Sequence, residues 1–167
     1  TGPVIEFGCG EGSTVMLHEV CKEQNRRLVS VDNNPSWLSR YKQKYETSWH
    51  RFYQVSPAGC RGKYHDCNHW DPFIQTLVSS TIHWGVIFVD HAPWEARTKT
   101  IRALKSQADY IVLHDSAYFP ENPDGLTENI FGTSLEPLRG EKSPGYRDYS
   151  DMFQFFREYY PKSPWPD

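Results

Sequence analysis

Val4-Ile5-Glu6-Phe7-Gly8-Cys9-Gly10-Glu11-Gly12-Ser13-Thr14 is the stretch on which the fold of this chain turns. An apolar run meets three glycines at alternate positions, then two hydroxyl residues, then a helical pattern. The reading is a buried strand that turns sharply into a helix. Glycine lets the backbone take positive φ and approach a ligand closely. The helix start presents unpaired N–H groups and the positive end of a dipole. Ser13 or Thr14 is the expected N-cap. The helix is expected from about Ser13 to Gln24, with Val15, Met16, Val20 and Cys21 on its inner face.

The same alternation repeats along the chain. Arg27 to Asp32 is an apolar strand ending in an acid. Asn34 then caps a helix with Pro35 in its first turn, and Trp37, Leu38, Tyr41 and Tyr45 follow at helical spacing. His50 to Val55 reads as a third strand. A loop rich in Gly, His and Cys, Pro57 to Trp70, leads to a helix opening at Asp71-Pro72, with Phe73, Ile74, Leu77 and Val78 inward. Gly85 to Asp90 is continuously apolar up to its acid, as a strand covered on both faces is. A helix from Pro93 to about Lys105 turns Trp94, Thr98, Ile101 and Leu104 inward. Tyr110 to Asp115 is a further strand ending in an acid. Five strand–helix alternations predict an α/β fold with a doubly wound, mostly parallel, Rossmann-like sheet and helices on both faces.

Beyond Asp115 the texture changes. Residues 117–149 are rich in Pro, Gly, Asn and charge, and such long irregular segments are uncommon unless functional or mobile. They are expected to form a lid over the strand ends, or an insertion whose rings pack back on the sheet. Met152 to Tyr160 reads as a strand, with a short helix as the alternative. No repeat or second domain is evident, so all 167 residues are expected to form one domain, read as a piece of a longer chain because it opens at Thr1, on the brink of a strand.

Composition narrows the partners. The net charge is −3, which disfavours nucleic acid, whose binders are usually basic. No apolar run approaches the ~20 residues that span a bilayer. No signal-peptide pattern is visible, which favours a cytoplasmic setting. Nothing in the sequence fixes the oligomeric state. The four cysteines, Cys9, Cys21, Cys60 and Cys67, contain no C-x-x-C pair and are read as reduced thiols, with a Cys60–Cys67 bridge as the alternative.

Right-handed crossovers bring the C-terminal ends of all these strands to one edge. That edge gathers Glu6, the glycine turn, Asp32, Asp90, His91, His114 and Asp115. Asp32 stands at the tip of the strand after the glycine turn, where nucleotide-binding folds place an acid that accepts from ribose hydroxyls. Its bland reading is an acid that shapes the Asn33-Asn34-Pro35 turn. Two histidines and two further acids at the same edge favour a site over helix caps and sheet-edge hydrogen bonds.

The order Glu6-x-Gly8-x-Gly10-x-Gly12 followed by Asp32 resembles class I S-adenosylmethionine-dependent methyltransferases. It departs from the G-x-G-x-x-G of dinucleotide folds, which argues against an NAD-dependent oxidoreductase. The resemblance covers about Val4 to Asp115. It implies that S-adenosylmethionine is held by Glu6, Gly8, Cys9, Gly10, Gly12, Ser13, Asp32 and Asn33, with Asp66 and Cys67 as adenine-side candidates.

Val89-Asp90-His91 and Asp115-Ser116 resemble the metal-dependent O-methyltransferases of the catechol type. By that resemblance Asp90 and Asp115 are metal ligands, for Mg2+, and Asp90, His91, His114 and Asp115 are the catalytic set. Ser116 replaces the family's third ligand, an Asn, and the family's Lys base is unmatched, so His91 or His114 is the expected general base. Val89-Asp90-His91-Ala92-Pro93, Arg97 and Leu113-His114-Asp115 also resemble O-methyltransferases acting on glycans. Both versions imply methyl transfer to a hydroxyl of a small molecule or carbohydrate. The alternative is a methyltransferase-like, nucleotide-binding module without catalysis.

Overall fold

The computed structural model describes residues 2–55, 69–92 and 94–114, all inside one compact unit, Thr1–Ser116. The segment 117–149, the strand expected at Met152 to Tyr160, and Cys60, Asp66, Cys67 and Asp115 lie outside the described residues, as does the side chain of Trp94. Five strands alternate with helices: β1 Val4–Phe7, α1 Ser13–Glu23, β2 Leu28–Asp32, α2 Pro35–Tyr45, β3 His50–Gln54, α3 Asp71–Val78, β4 Trp84–Val89, α4 Trp94–Leu104 and β5 Ala108–Leu113. A 3-10 turn, Lys105–Gln107, links α4 to β5. The strands form one all-parallel sheet in the order β3-β2-β1-β4-β5. This is the doubly wound α/β, Rossmann-like arrangement the alternation predicts.

The two faces of the sheet follow from its period of two. Val4 of β1 packs with Leu17 and Cys21 of α1, Leu28 of β2 and Phe88 of β4. Phe52 of β3 packs on Leu38 and Tyr41 of α2. Helices α1 and α2 therefore share one face. On the other, Phe7 meets Trp70 and Phe73 at the start of α3 and the ring of His91. All four residues of β1 are buried, as befits the central strand.

The register places Glu6 beside Ser30 on one neighbour and Phe88 on the other. The direction of winding reverses at β1, so the loops leaving β1 and β4 diverge. In open α/β sheets such a switch point is where the ligand crevice forms.

Several local expectations are met in detail. Asn34 caps α2 by accepting from the N–H groups of Ser36 and Trp37, with Pro35 in the first turn. Others are corrected. The N-cap of α1 is Gly12, without a side-chain bond, because the Thr14 hydroxyl is turned inward to a buried carboxyl. The inner face of α1 is Thr14, Leu17, His18 and Cys21, while Met16 and Val20 are exposed. Two of those four inward residues are polar, which hid the stripe. In α3, Ile74 and Leu77 are buried and Val78 is exposed. β5, the last strand among the described residues, leaves Tyr110 and Val112 exposed.

Candidate active site

The glycine turn is shaped by three constraints. Gly8 adopts φ +90°, a left-handed conformation that side chains resist. A Cβ there would lie 2.6 Å from the Asp90 carbonyl oxygen and 2.9 Å from the His91 nitrogen. Only a glycine lets the ends of β1 and β4 meet this closely, and the Asp90 N–H donates to the Phe7 carbonyl at 2.8 Å. Further along, a Cβ on Gly12 would meet nothing within 4 Å, so the turn opens into space at that end.

Asp32 ties the turn to β2. Its Oδ2 accepts from the Cys9 N–H at 2.8 Å, and its Oδ1 accepts from the Asn34 N–H at 2.7 Å. The second bond is the turn-shaping role of the bland reading; the first reaches across strands. Burial raises the Asp32 pKa, and the backbone N–H groups oppose that rise. The Trp37 indole N–H donates to the Cys9 carbonyl and clamps the turn from α2. Cys9 is itself buried, and desolvation pushes its thiol far up. Asn33 meets His69, Nδ2 to Nε2, at 2.9 Å, joining the β2 loop to the start of α3.

Glu6 lies beneath the turn with no exposed surface. Its carboxyl accepts from Thr14 Oγ1 at 3.0 and 3.1 Å and meets Ser30 Oγ at 2.5 Å. Thr14 Oγ1 in turn accepts from the Gly10 N–H at 2.9 Å. Glu6 thus organises the turn through Thr14. Desolvation raises its pKa to about 7, against the lowering effect of the Ser30, Ser13 and Thr14 hydroxyls. The Ser13 hydroxyl is buried beside Gly10.

Asp90 and His114 come together at the ends of β4 and β5. His114 Nδ1 lies 3.1 Å from Asp90 Oδ1, and the Arg97 Nη2 lies 3.0 Å from the same oxygen. Arg97 also donates to the carbonyls of His91 at 2.9 Å and His114 at 3.0 Å. One guanidinium from α4 therefore fixes both strand ends and the carboxylate between them, using its fork of donors. The Asp90 carboxylate can only accept, so the Nδ1–H tautomer of His114 is the one that fits, with Nε2 as the basic nitrogen. The side chain of His114 is 53% exposed and that of Asp90 25%.

His91 is not part of this pair. It is 2% exposed, its ring lies against Phe7 and Trp70, and Nε2 faces Thr100 Oγ1 at 3.1 Å. Burial lowers its pKa to about 3. It is packed between Phe7, Trp70 and Thr100 and its ring does not join the Asp90–His114 pair, contrary to its expected place in the catalytic set.

Among the described residues no group of three His, Cys, Asp or Glu converges on a point. Asp90 Oδ1 faces Arg97 Nη2 and His114 Nδ1. Asp115, the other expected ligand, lies outside the described residues. Arg97, which the sequence offered only through the glycan-type resemblance, is the residue that joins Asp90 to the two strand ends. Thr14, Ser30, His50 and His18 were missed, since buried hydroxyls and imidazoles leave no periodic trace.

No protein-family model and no curated protein matches the chain. Among solved structures, the yeast methylglyoxal/isovaleraldehyde reductase Gre2, determined with NADPH, is similar over 76% of this chain and 42% of its own, with a TM-score of 0.46 and 8% identity. The chain thus spans less than half the length of that reductase. No helix among the described residues is long and apolar enough to cross a membrane.

Proposed function

We propose that this domain transfers a methyl group from S-adenosylmethionine to a hydroxyl of a small molecule or carbohydrate, with His114 as general base. The observation that carries the reading is the Asp90–His114 pair, locked by Arg97, against the back of the Gly8 turn. The alternate glycines and Glu6 support this cofactor over a dinucleotide.

When bound, S-adenosylmethionine supplies a methyl carbon made electrophilic by its sulfonium. Asp32 would hold ribose hydroxyls on the lone pairs left by Cys9 and Asn34, since a carboxylate offers about four. The turn from Gly10 to Ser13 would line the amino-acid portion. His114 Nε2 accepts the proton of the acceptor hydroxyl while Asp90 steadies the Nδ1–H and the charge that develops on the ring. Transfer of that methyl to the acceptor oxygen would leave the cofactor's sulfur as a neutral thioether. Arg97 holds Asp90 in place throughout.

Calorimetric titration with S-adenosylmethionine and, separately, NADPH tests the cofactor. Binding of the first and not the second is expected, with affinity lost in Asp32→Ala. Binding of NADPH alone overturns the reading. Release of S-adenosylhomocysteine in the presence of a panel of hydroxyl acceptors then reports turnover.

A further inference from the structure

Behind the glycine turn, on the sheet face covered by α1, a single file of polar groups crosses three strands. Ser30 Oγ lies 2.5 Å from Glu6 Oε2 and 2.9 Å from His50 Nε2; His50 Nδ1 lies 2.9 Å from His18 Nδ1. Glu6, Ser30 and His50 have no exposed surface, and His18 retains 8%. Each link requires one proton and one lone pair, and with both imidazoles neutral the file can point in either of two directions.

With Glu6 ionised, Ser30 donates to the carboxylate, His50 donates through Nε2 to Ser30, and His18 donates through Nδ1 to His50. With Glu6 protonated, every donor reverses: Glu6 donates to Ser30, Ser30 to His50 Nε2, and His50 Nδ1 to His18. The two arrangements differ by one proton, which enters at His18 Nε2 and appears on Glu6. Both imidazoles are neutral in either state, and two imidazolium rings cannot meet Nδ1 to Nδ1.

We infer that Ser30, His50 and His18 form a proton relay between solvent and the buried Glu6 carboxyl, so that the charge beneath the glycine turn is set from His18. The relay reaches the turn because Thr14, which donates to Glu6, also holds the Gly10 N–H. It is independent of which cofactor the turn binds. The surrounding groups are compatible with neutral imidazoles. Burial lowers the pKa of His50 to about 3, aided by His18. Burial also lowers that of His18, whose charged neighbours are Glu19 and Lys22 on its own helix. Tyr45 of α2 packs on the His18 ring, with Lys44 over Tyr45. Trp49, between α2 and β3, stacks on His50 and lies tilted against His18. Phe52 of β3 covers His50. Asp32 of β2 and the thiols of Cys9 and Cys21 are the ionisable groups nearest Glu6.

Nuclear magnetic resonance of the full 167-residue chain tests this without a ligand. Imidazole 15N shifts identify tautomers, and the Glu6 carboxyl 13C shift reports its proton. Across neutral pH, His18 is expected to change from Nε2–H to Nδ1–H and His50 from Nδ1–H to Nε2–H as pH rises, both with the midpoint of Glu6. Glu6→Gln and Ser30→Ala should each abolish the paired tautomer change, with fold checked by the amide spectrum. Fixed tautomers through the Glu6 titration, or a paired change that survives in Glu6→Gln, overturns the relay. If Ser30→Ala does not fold, the wild-type titration and Glu6→Gln decide it.

Discussion

Two carboxyl groups, Glu6 on β1 and Asp90 just past β4, lie on adjacent strands and are handled in opposite ways. Glu6 is sealed from water and meets only neutral hydroxyls, which leaves its proton affinity near neutrality. Asp90 keeps a quarter of its side-chain surface and faces a guanidinium and an imidazole. Burial without a cation favours the neutral acid; a paired cation favours the anion. The first carboxyl therefore suits internal organisation of the turn. The second suits orientation of a base at an open edge. What separates them is partner chemistry, since both sit at the same end of neighbouring parallel strands.

The contact between the two regions is the backbone of Gly8 against Asp90, and breaking it should cost most. Gly8→Ala combines a positive φ with a 2.6 Å approach to main chain that cannot rotate away. The expected loss is about 4 kcal/mol by urea denaturation. A loss under about 1 kcal/mol would show that the strand ends are not docked as described.

Next is Arg97→Met. Arg97 is 5% exposed, and its removal leaves Asp90 and two carbonyls without their guanidinium donor. Breaking a buried pair in this way costs about 3 kcal/mol. Lys99→Met is the control: its partner Asp71 is at 3.4 Å and both side chains are nearly half exposed, so the change should be under about 1 kcal/mol. Equal losses would erase the distinction between the two ion pairs.

The pH dependence of stability isolates the other region. Raising a carboxyl from 4.5 to about 7 makes the native state bind the proton more tightly. Its contribution is complete below pH 4.5 and is lost as pH rises through 7, about 3 kcal/mol in all. His50 and His91, lowered from 6.5 to about 3, act with the opposite sign and cost stability as pH falls below 6.5. Two groups outweigh one between 4.5 and 6.5, and the opposing slopes cancel near pH 7, so stability should rise with pH and level off there. Glu6→Gln removes the opposing slope and should steepen the rise between about pH 5 and 7, measured by urea midpoints. An unchanged slope would show that the Glu6 carboxyl does not hold its proton into this range.

The alternation of apolar runs and helices made the fold legible, because strands buried on both faces and helices capped by Asn34-Pro35 carry local signals. The glycine turn was legible for the same reason: Gly8 must be glycine on account of its own φ. The interior polar file was not. Thr14 and His18 occupy inner positions of α1 that periodicity assigns to apolar residues, and their burial is tolerated only because Glu6 and His50 meet them across the sheet. Such pairings lie in three dimensions and leave Met16 and Val20 as false markers of the inner face. Likewise His91 and His114 look equivalent in sequence, each beside an acid at a strand end. Strand pleat and the ring of Trp70 turn one inward, while the other stays at the open edge.

His114→Asn should have the smallest effect on stability, and it separates architecture from chemistry. The side chain is half exposed, and the bonds that hold its segment use its main chain: the N–H to Val89 and the carbonyl to Arg97. Asn keeps both and can still donate to Asp90. The unfolding free energy should therefore change by less than about 0.5 kcal/mol, with S-adenosylmethionine affinity preserved. Turnover should nevertheless fall about 10²–10⁴-fold, the range of a lost general base. A stable variant with undiminished turnover would return Asp90 and His114 to the role that Glu6 and Ser30 already fill, that of holding strand ends together, and the base would have to be sought elsewhere.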